Sequence, residues 1–322
     1  MEDKNNKNGL DFIDRGADNI INQHDFINNS EDGKTAESAI KHAEISPNEI
    51  AVDNIGKSAN EIEVSINDQN APIIVLFGEP GCGKTMTLIR LTRWLTLVNQ
   101  QFFVTPDKNF RNGDDDVYEE ICNRFFDSID PDNNKIAPRT NAIDFMLLEV
   151  REKKTRTKIC QMLEAPGEHF VGNEYPCYIQ AVRNSNAPKT WVFYVDVLSS
   201  KNKDARRQYI ENIITLHNGA IREDDRVIFV CDKADLAESA LFRKGYPVEE
   251  EFFKIVYDNY RSNQGPVLDN FRNETPILRW FKPFDFDFVV FSAGSFTKDG
   301  HYVNSSDFYP ETLWRAILKT VR

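Results

Sequence analysis

The chain is predicted to be an α/β protein, a three-layer fold around a mostly parallel central sheet with one antiparallel strand and helical insertions. Three observations predict it. From residue 71 onward, strand-like apolar runs alternate with helix-periodic segments. The first run, Ile73-Ile74-Val75-Leu76-Phe77, is apolar at every position, which suits a parallel strand covered on both faces. A glycine-rich stretch then leads into a segment where Met86, Leu88, Ile89, Leu91, Trp94 and Leu95 recur at helical spacing.

The later elements follow in the same alternation. A helix is expected over 117–126 and strands over 143–150 and 158–163, joined by the charged Arg151-Glu152-Lys153-Lys154, a hairpin that sets one strand antiparallel. Further strands are expected at 191–197, 227–231 and 286–291, with helices at 203–217, 248–263 and 311–321. The last helix carries an apolar stripe of Leu313, Trp314, Ile317, Leu318 and Val321.

The composition narrows the classes. The 322 residues carry a formal charge of −12, which makes a nucleic-acid partner unlikely, since phosphate neutralisation calls for a basic face. Five cysteines, without a C-x-x-C pair, read as free thiols of a reducing compartment. Three of them, Cys82, Cys160 and Cys231, lie in or beside expected strands or the glycine-rich stretch. No apolar run approaches a membrane span and no signal-peptide core is seen, so a cytoplasmic location is expected. Residues 1–70 are polar, with Phe12 and Phe26 their only aromatics, and are expected to form a largely disordered region. The domain is expected over 71–322, with insertions at about 99–139 and 236–285.

Gly78-Glu79-Pro80-Gly81-Cys82-Gly83-Lys84-Thr85 matches G-x-x-x-x-G-K-S/T between an expected strand and an expected helix. Its glycines, Gly78, Gly81 and Gly83, let the backbone curl so that N–H groups, including that of Cys82, point at phosphate oxygens. The helix start adds partial positive charge. Lys84 reaches the β- and γ-phosphates and Thr85 gives a hydroxyl to Mg²⁺. Pro80 has no N–H, so the donors lie from Gly81 onward.

Four further stretches follow in order: Thr140-Asn141-Ala142-Ile143-Asp144-Phe145, Glu164-Ala165-Pro166-Gly167-Glu168-His169, Asp232-Lys233-Ala234-Asp235 and Ser292-Ala293-Gly294. With the phosphate loop they resemble the Ras-like (TRAFAC-type) P-loop GTPases over roughly 71–322. The P-G-E string and the insertions are similar to the paired GTPases of bacterial conflict systems. The resemblance implies a P-loop NTPase fold and a GTP-hydrolysing switch. Thr140 would close switch I over the γ-phosphate and Mg²⁺. Glu164 would hold Mg²⁺ through water, the Gly167 N–H would meet the γ-phosphate, and Glu168 would orient the attacking water. Lys233 would cover the base, Asp235 would accept guanine's two donors, and Ser292-Ala293 would meet its carbonyl. A protein effector or paired GTPase would read the ordered state.

Glu164, Glu168 and Asp232 stand where the family has Asp, Gln and Asn. The extra negative charge at Glu168 predicts slow hydrolysis, and His169 is the alternative residue for the water. Gly113-Asp114-Asp115-Asp116 reads as a helix N-terminal acid cluster rather than a cation site. Two other functions stay open. An AAA+ ATPase would need an Asp-Glu pair at a strand end, which neither Val195-Asp196-Val197 nor Val230-Cys231-Asp232 supplies. A pseudo-GTPase scaffold would act through its insertions and tail.

Overall fold

The apolar run at 73–77 forms strand β1 (Ile73–Phe77), and all five of its residues are buried. The glycine-rich stretch turns into α1 (Lys84–Arg93), which continues as a π-helical turn over Trp94–Val98. Strand β2 (Phe102–Pro106) and α2 (Asp115–Asp127) come next, then the hairpin of β3 (Met146–Glu152) and β4 (Lys158–Glu164). A short 3-10 turn (Gly167–Phe170) precedes α3 (Cys177–Asn184), β5 (Lys189–Asp196) and α4 (Lys203–Gly219). The chain then forms β6 (Arg226–Asp232), β7 (Asp287–Val290), the small β8 (Gly294–Phe296) and β9 (Tyr302–Asn304), and α5 (Phe308–Thr320). This computed structural model describes residues 58–112, 115–130, 143–170, 175–196, 203–219, 221–222, 224–234, 268–271, 285–296 and 302–321, all within the unit Ile50–Arg322.

Seven strands make one sheet in the order β2-β3-β4-β1-β5-β6-β7. Strand β3 is antiparallel to both β2 and β4, and every other pairing is parallel. It is therefore the single strand that runs against the other six, as the charged hairpin predicts. Alternation along the strands separates the two covering layers. Leu76, Met162, Val192 and Tyr194 share a small cavity with Thr87 and Leu88 of α1 and Leu313 and Ile317 of α5. On the opposite face Phe77 stacks against Tyr209 of α4 (5.9 Å), and Phe193 and Phe229 meet Phe271 (6.1 and 5.2 Å). Sheet burial on both faces explains why β1 is apolar throughout and why β5 and β6 are apolar through their centres.

From Ser58 onward the polar N-terminal stretch packs on the fold. Ala59 and Ile62 are buried, Val64 bridges Arg111, and Gln161 Nε2 donates to the carbonyls of Asp68 and Ala71. The stretch at 99–139 also adds a strand: β2 pairs with β3 at the sheet edge, and Pro106, which lacks an N–H, ends it. Asp116 stands in the first turn of α2, where an acid favours a helix N-terminus. The helix expected at 248–263 and most of 236–285 lie outside the described residues. Leu268 and Phe271 of that segment are buried on the sheet. All five cysteines are free, and Cys177 is exposed.

Candidate functional site

The phosphate loop curls as its glycines predict. Gly81 and Gly83 adopt φ of 72° and 99°, backbone that a side chain resists. The Cys82 N–H turns back onto Glu79 O at 3.3 Å, closing the loop on itself. Donors for a phosphate are then those of Gly81, Gly83 and the first residues of α1, whose N–H groups have no partner inside the helix. Lys84 is buried across the loop, its Nζ donating to Gly78 O (2.9 Å) and Glu79 O (3.1 Å), 5.9 Å from the Phe170 ring centre. The loop is braced from α4: Tyr209 donates to Phe77 O (3.0 Å), and Asn212 donates to Phe170 O (3.0 Å).

Beside it, at the end of the neighbouring strand β4, Glu164 is 1% exposed. Thr85 Oγ1 donates its proton to Glu164 Oε1. The threonine oxygen's lone pairs are the kind of atoms a hard cation binds. Glu164 Oε2 is buried without a hydrogen-bond partner, an arrangement that costs free energy unless a ligand satisfies it. Burial pushes the carboxyl up to about 7, while Thr85 and Lys84 pull it down and Asp144 adds to the rise. These residues fit Mg²⁺, which binds through one or two carboxylates, hydroxyls and substrate phosphates. Among the described residues no group of three or more His, Cys, Asp or Glu could hold a metal ion by itself.

The turn after Glu164 lies on the phosphate loop. A β-carbon added at Gly167 would come within 2.5 Å of Pro80 N and 2.7 Å of Glu79 C, so only glycine permits this approach. Glu168 is exposed. One nitrogen of His169 is engaged: its Nδ1 lies 2.7 Å from Tyr178 OH, and burial pulls the ring down to about 4, against the pull of Glu168. Tyr178, fully buried on α3, also stacks on Phe145 at 3.8 Å with rings 3° apart.

On the other side, Asp232 closes β6 and is buried against the phosphate loop, where a β-carbon at Gly83 would fall on its Oδ2. Lys233 follows with φ 59°, in the left-handed region. Ala234 N donates to Phe291 O (3.0 Å) and Phe291 N to Cys231 O (2.8 Å), so this loop and Ser292-Ala293 lie together. The hairpin β8–β9 holds the second loop, with Ser305 Oγ donating to Ser292 O and Tyr302 OH to Ala293 O. Gly78, Gly81, Cys82, Gly83, Lys84, Thr85, Glu164 and Gly167 are thus gathered on one side of β1, and Asp232 brings the second loop to the same phosphate loop. Thr140 and Asp235 lie outside the described residues. Tyr178, Tyr209 and Asn212 were not singled out from the sequence, because their partners are distant in the chain and no spacing signals them.

The family model of an AAA domain matches residues 66–259, more than half of the chain. Among curated proteins nothing matches. Solved structures similar to the chain include nucleolar GTP-binding protein 1 from Plasmodium falciparum, at 10% identity and a TM-score of 0.38, covering 80% of this chain and 90% of that one. The chloroplast translocon components atToc33 and psToc159 match at 13% identity and a TM-score of 0.39, over 79% and 84% of the two chains. Elongation factor SelB from Methanococcus maripaludis, in complex with the GTP analogue GPPNHP, matches at 16% identity and a TM-score of 0.33, with 79% of this chain but 34% of that one covered.

Proposed function

The chain belongs to the AAA domain family, a P-loop nucleoside triphosphatase, and from that premise we propose that it is a GTP-binding, slowly GTP-hydrolysing switch. One observation carries the proposal. Glu164 ends the strand next to β1, bonds Thr85 and is followed by Gly167 seated on Glu79 and Pro80. An acid and a glycine placed this way link the metal-binding hydroxyl to a turn that a γ-phosphate would order.

In this mechanism the N–H groups of Gly81, Gly83, Lys84 and Thr85 and the Lys84 ammonium hold the triphosphate. Thr85 and Glu164, with Thr140, would hold Mg²⁺, which neutralises charge on the phosphates. Gly167 offers its N–H to the γ-phosphate, and Glu168 orients the attacking water. A carboxylate in that role places negative charge beside developing negative charge, so turnover is slow. Burial favours the neutral ring of His169, so it adds no positive charge to offset this. Asp235, next to a loop that reaches Gly83 through Asp232, reads the purine through two accepted hydrogen bonds. Ser292 and Ala293 close the base side, and the ordered turns present a surface to a protein effector or a paired GTPase.

A second reading, ATP hydrolysis, is favoured by the AAA domain match itself. Against it, Asp196 and Asp232 end their strands before Val197 and Lys233, without the glutamate that such chemistry uses as a base. A scaffold that binds nucleotide without hydrolysis differs from both in a single-turnover assay. Asp235→Asn tests base reading: preference is expected to move from GTP toward XTP, whose edge matches the amide. An unchanged ranking of nucleotides would contradict the assignment.

A further inference from the structure

The Ser292-Ala293 loop carries no long side chain, so its value to a ligand lies in where its backbone is held. The β8–β9 hairpin and the residue after it hold it. Ala293 O accepts twice, from Ser305 N at 3.2 Å and from Tyr302 OH, which fills both of its lone pairs. Ser292 O accepts from Ser305 Oγ. Gly294 permits this close approach: a β-carbon there would come within 2.1 Å of Val303 O and 2.9 Å of Tyr302 OH. Ser305 thus meets the loop through both its N–H and its hydroxyl.

The remaining polar group of Ser305, its carbonyl, is held from α1. Arg90, 2% exposed, donates from Nη2 to Ser305 O at 2.8 Å and to Asp307 Oδ1 at 2.6 Å, so one nitrogen directs both its hydrogens to the segment between β9 and α5. Arg93, one turn further along α1, donates to Asn304 Oδ1 at 3.1 Å and lies 5.5 Å from the Tyr302 ring centre. Helix α1 opens with Lys84 and Thr85, and Arg90 stands about 9 Å along its axis. The helix that carries the phosphate-binding side chains therefore also anchors the second loop. Desolvation offsets much of what a buried guanidinium gains from its bonds, whereas its planar donors fix geometry closely.

We propose that Arg90 is a positioning residue for purine recognition: through Ser305 it fixes the Ser292-Ala293 loop relative to the helix that starts at Lys84. This rests on the reading of that loop as the base side of a nucleotide site. A loop held at a set distance from the phosphate grip suits a base joined to phosphates through a sugar, and a bare phosphate chain gains nothing from it. Because the bonds of Arg90 run to Ser305 and Asp307, its loss falls on the base and not on the phosphates.

The test is a competition experiment on the full chain with Mg²⁺. GTP and inorganic tripolyphosphate each displace a fluorescent GTP analogue, and the ratio of their inhibition constants is read. Arg90→Met keeps an apolar stem and removes the donors. It is expected to weaken GTP by about 3–10-fold, the loss of one contact to the base, with tripolyphosphate unchanged. Ser305→Ala, which leaves the bonds of Arg90 in place, is expected to move the ratio in the same direction by a smaller factor. Equal weakening of both ligands by Arg90→Met, or an unchanged GTP constant, would show that the arginine serves the fold alone and would overturn the proposal. Should Arg90→Met not fold, Ser305→Ala decides by the same ratio: a ratio equal to that of the wild type overturns the proposal. A wild-type chain that binds GTP no more tightly than tripolyphosphate would refute the base-side reading itself, and the role of Arg90 with it.

Discussion

Substituting alanine at Gly83 tests whether the two halves of the site touch. Gly83 holds φ at 99°, and an added β-carbon would fall on the buried Asp232 carboxylate. The backbone conformation costs an L-residue about 1–3 kcal/mol, and forcing an atom into a packed contact costs about 1–3 kcal/mol more. Reduced freedom of the unfolded chain returns about 0.4–1 kcal/mol. Gly83→Ala should therefore lower unfolding free energy by about 2–5 kcal/mol in urea titrations followed by tryptophan fluorescence. In an Asp232→Ala background only the backbone part less that return remains, so the cost should fall to about 0–2.5 kcal/mol. Equal costs in the two backgrounds would refute the placement of Asp232 against the phosphate loop.

The remaining expectations concern His169 and Arg93. The folded chain holds His169 near 4, below its ordinary 6.5, so the neutral ring is favoured by folding. Its stabilisation is complete above pH 6.5 and is lost as pH falls toward 4; for this partly exposed ring the loss is about 1–3 kcal/mol. His169→Gln should flatten the urea midpoint across that window, and an unchanged slope would show that the ring titrates normally. Arg93 donates to the carbonyls of Ser128 (2.6 Å), Ile129 (2.8 Å) and Asp130 (3.3 Å) and to Asn304 Oδ1 (3.1 Å), tying the end of α2 to α1 and β9. Arg93→Met should cost about 2–4 kcal/mol in the same titration by stranding buried acceptors, and Arg93→Lys should recover little, since an ammonium cannot form the planar fork.

Much of this architecture is legible because strands buried on both faces must be apolar throughout. β1 and the centres of β5 and β6 announce themselves in that way, and the phosphate loop is legible because its glycines sit where the backbone turns left-handed. β2 escapes the pattern: it is short, lies at the sheet edge and ends in Pro106. α3, only eight residues long, begins after Pro176 and offers barely two turns of periodicity. The packing of residues 58–70 is hidden by their polarity, since Ala59 and Ile62 are isolated apolar residues in a polar stretch. Around the phosphate loop, local spacing brings forward Lys84, Thr85, Glu164 and Gly167 as candidates but not Tyr178 or Asn212. Their partners His169 and Phe170 are chosen by tertiary packing, not by sequence interval.

The account stands most directly on which purine the site accepts. Full-length protein with Mg²⁺ and a fluorescent GTP analogue, titrated with unlabelled GTP and ATP, measures this in one experiment. GTP is expected to displace the probe at concentrations lower than ATP by about a hundredfold or more. Displacement by ATP at equal or lower concentration would contradict the guanine switch and leave an ATP-binding P-loop protein.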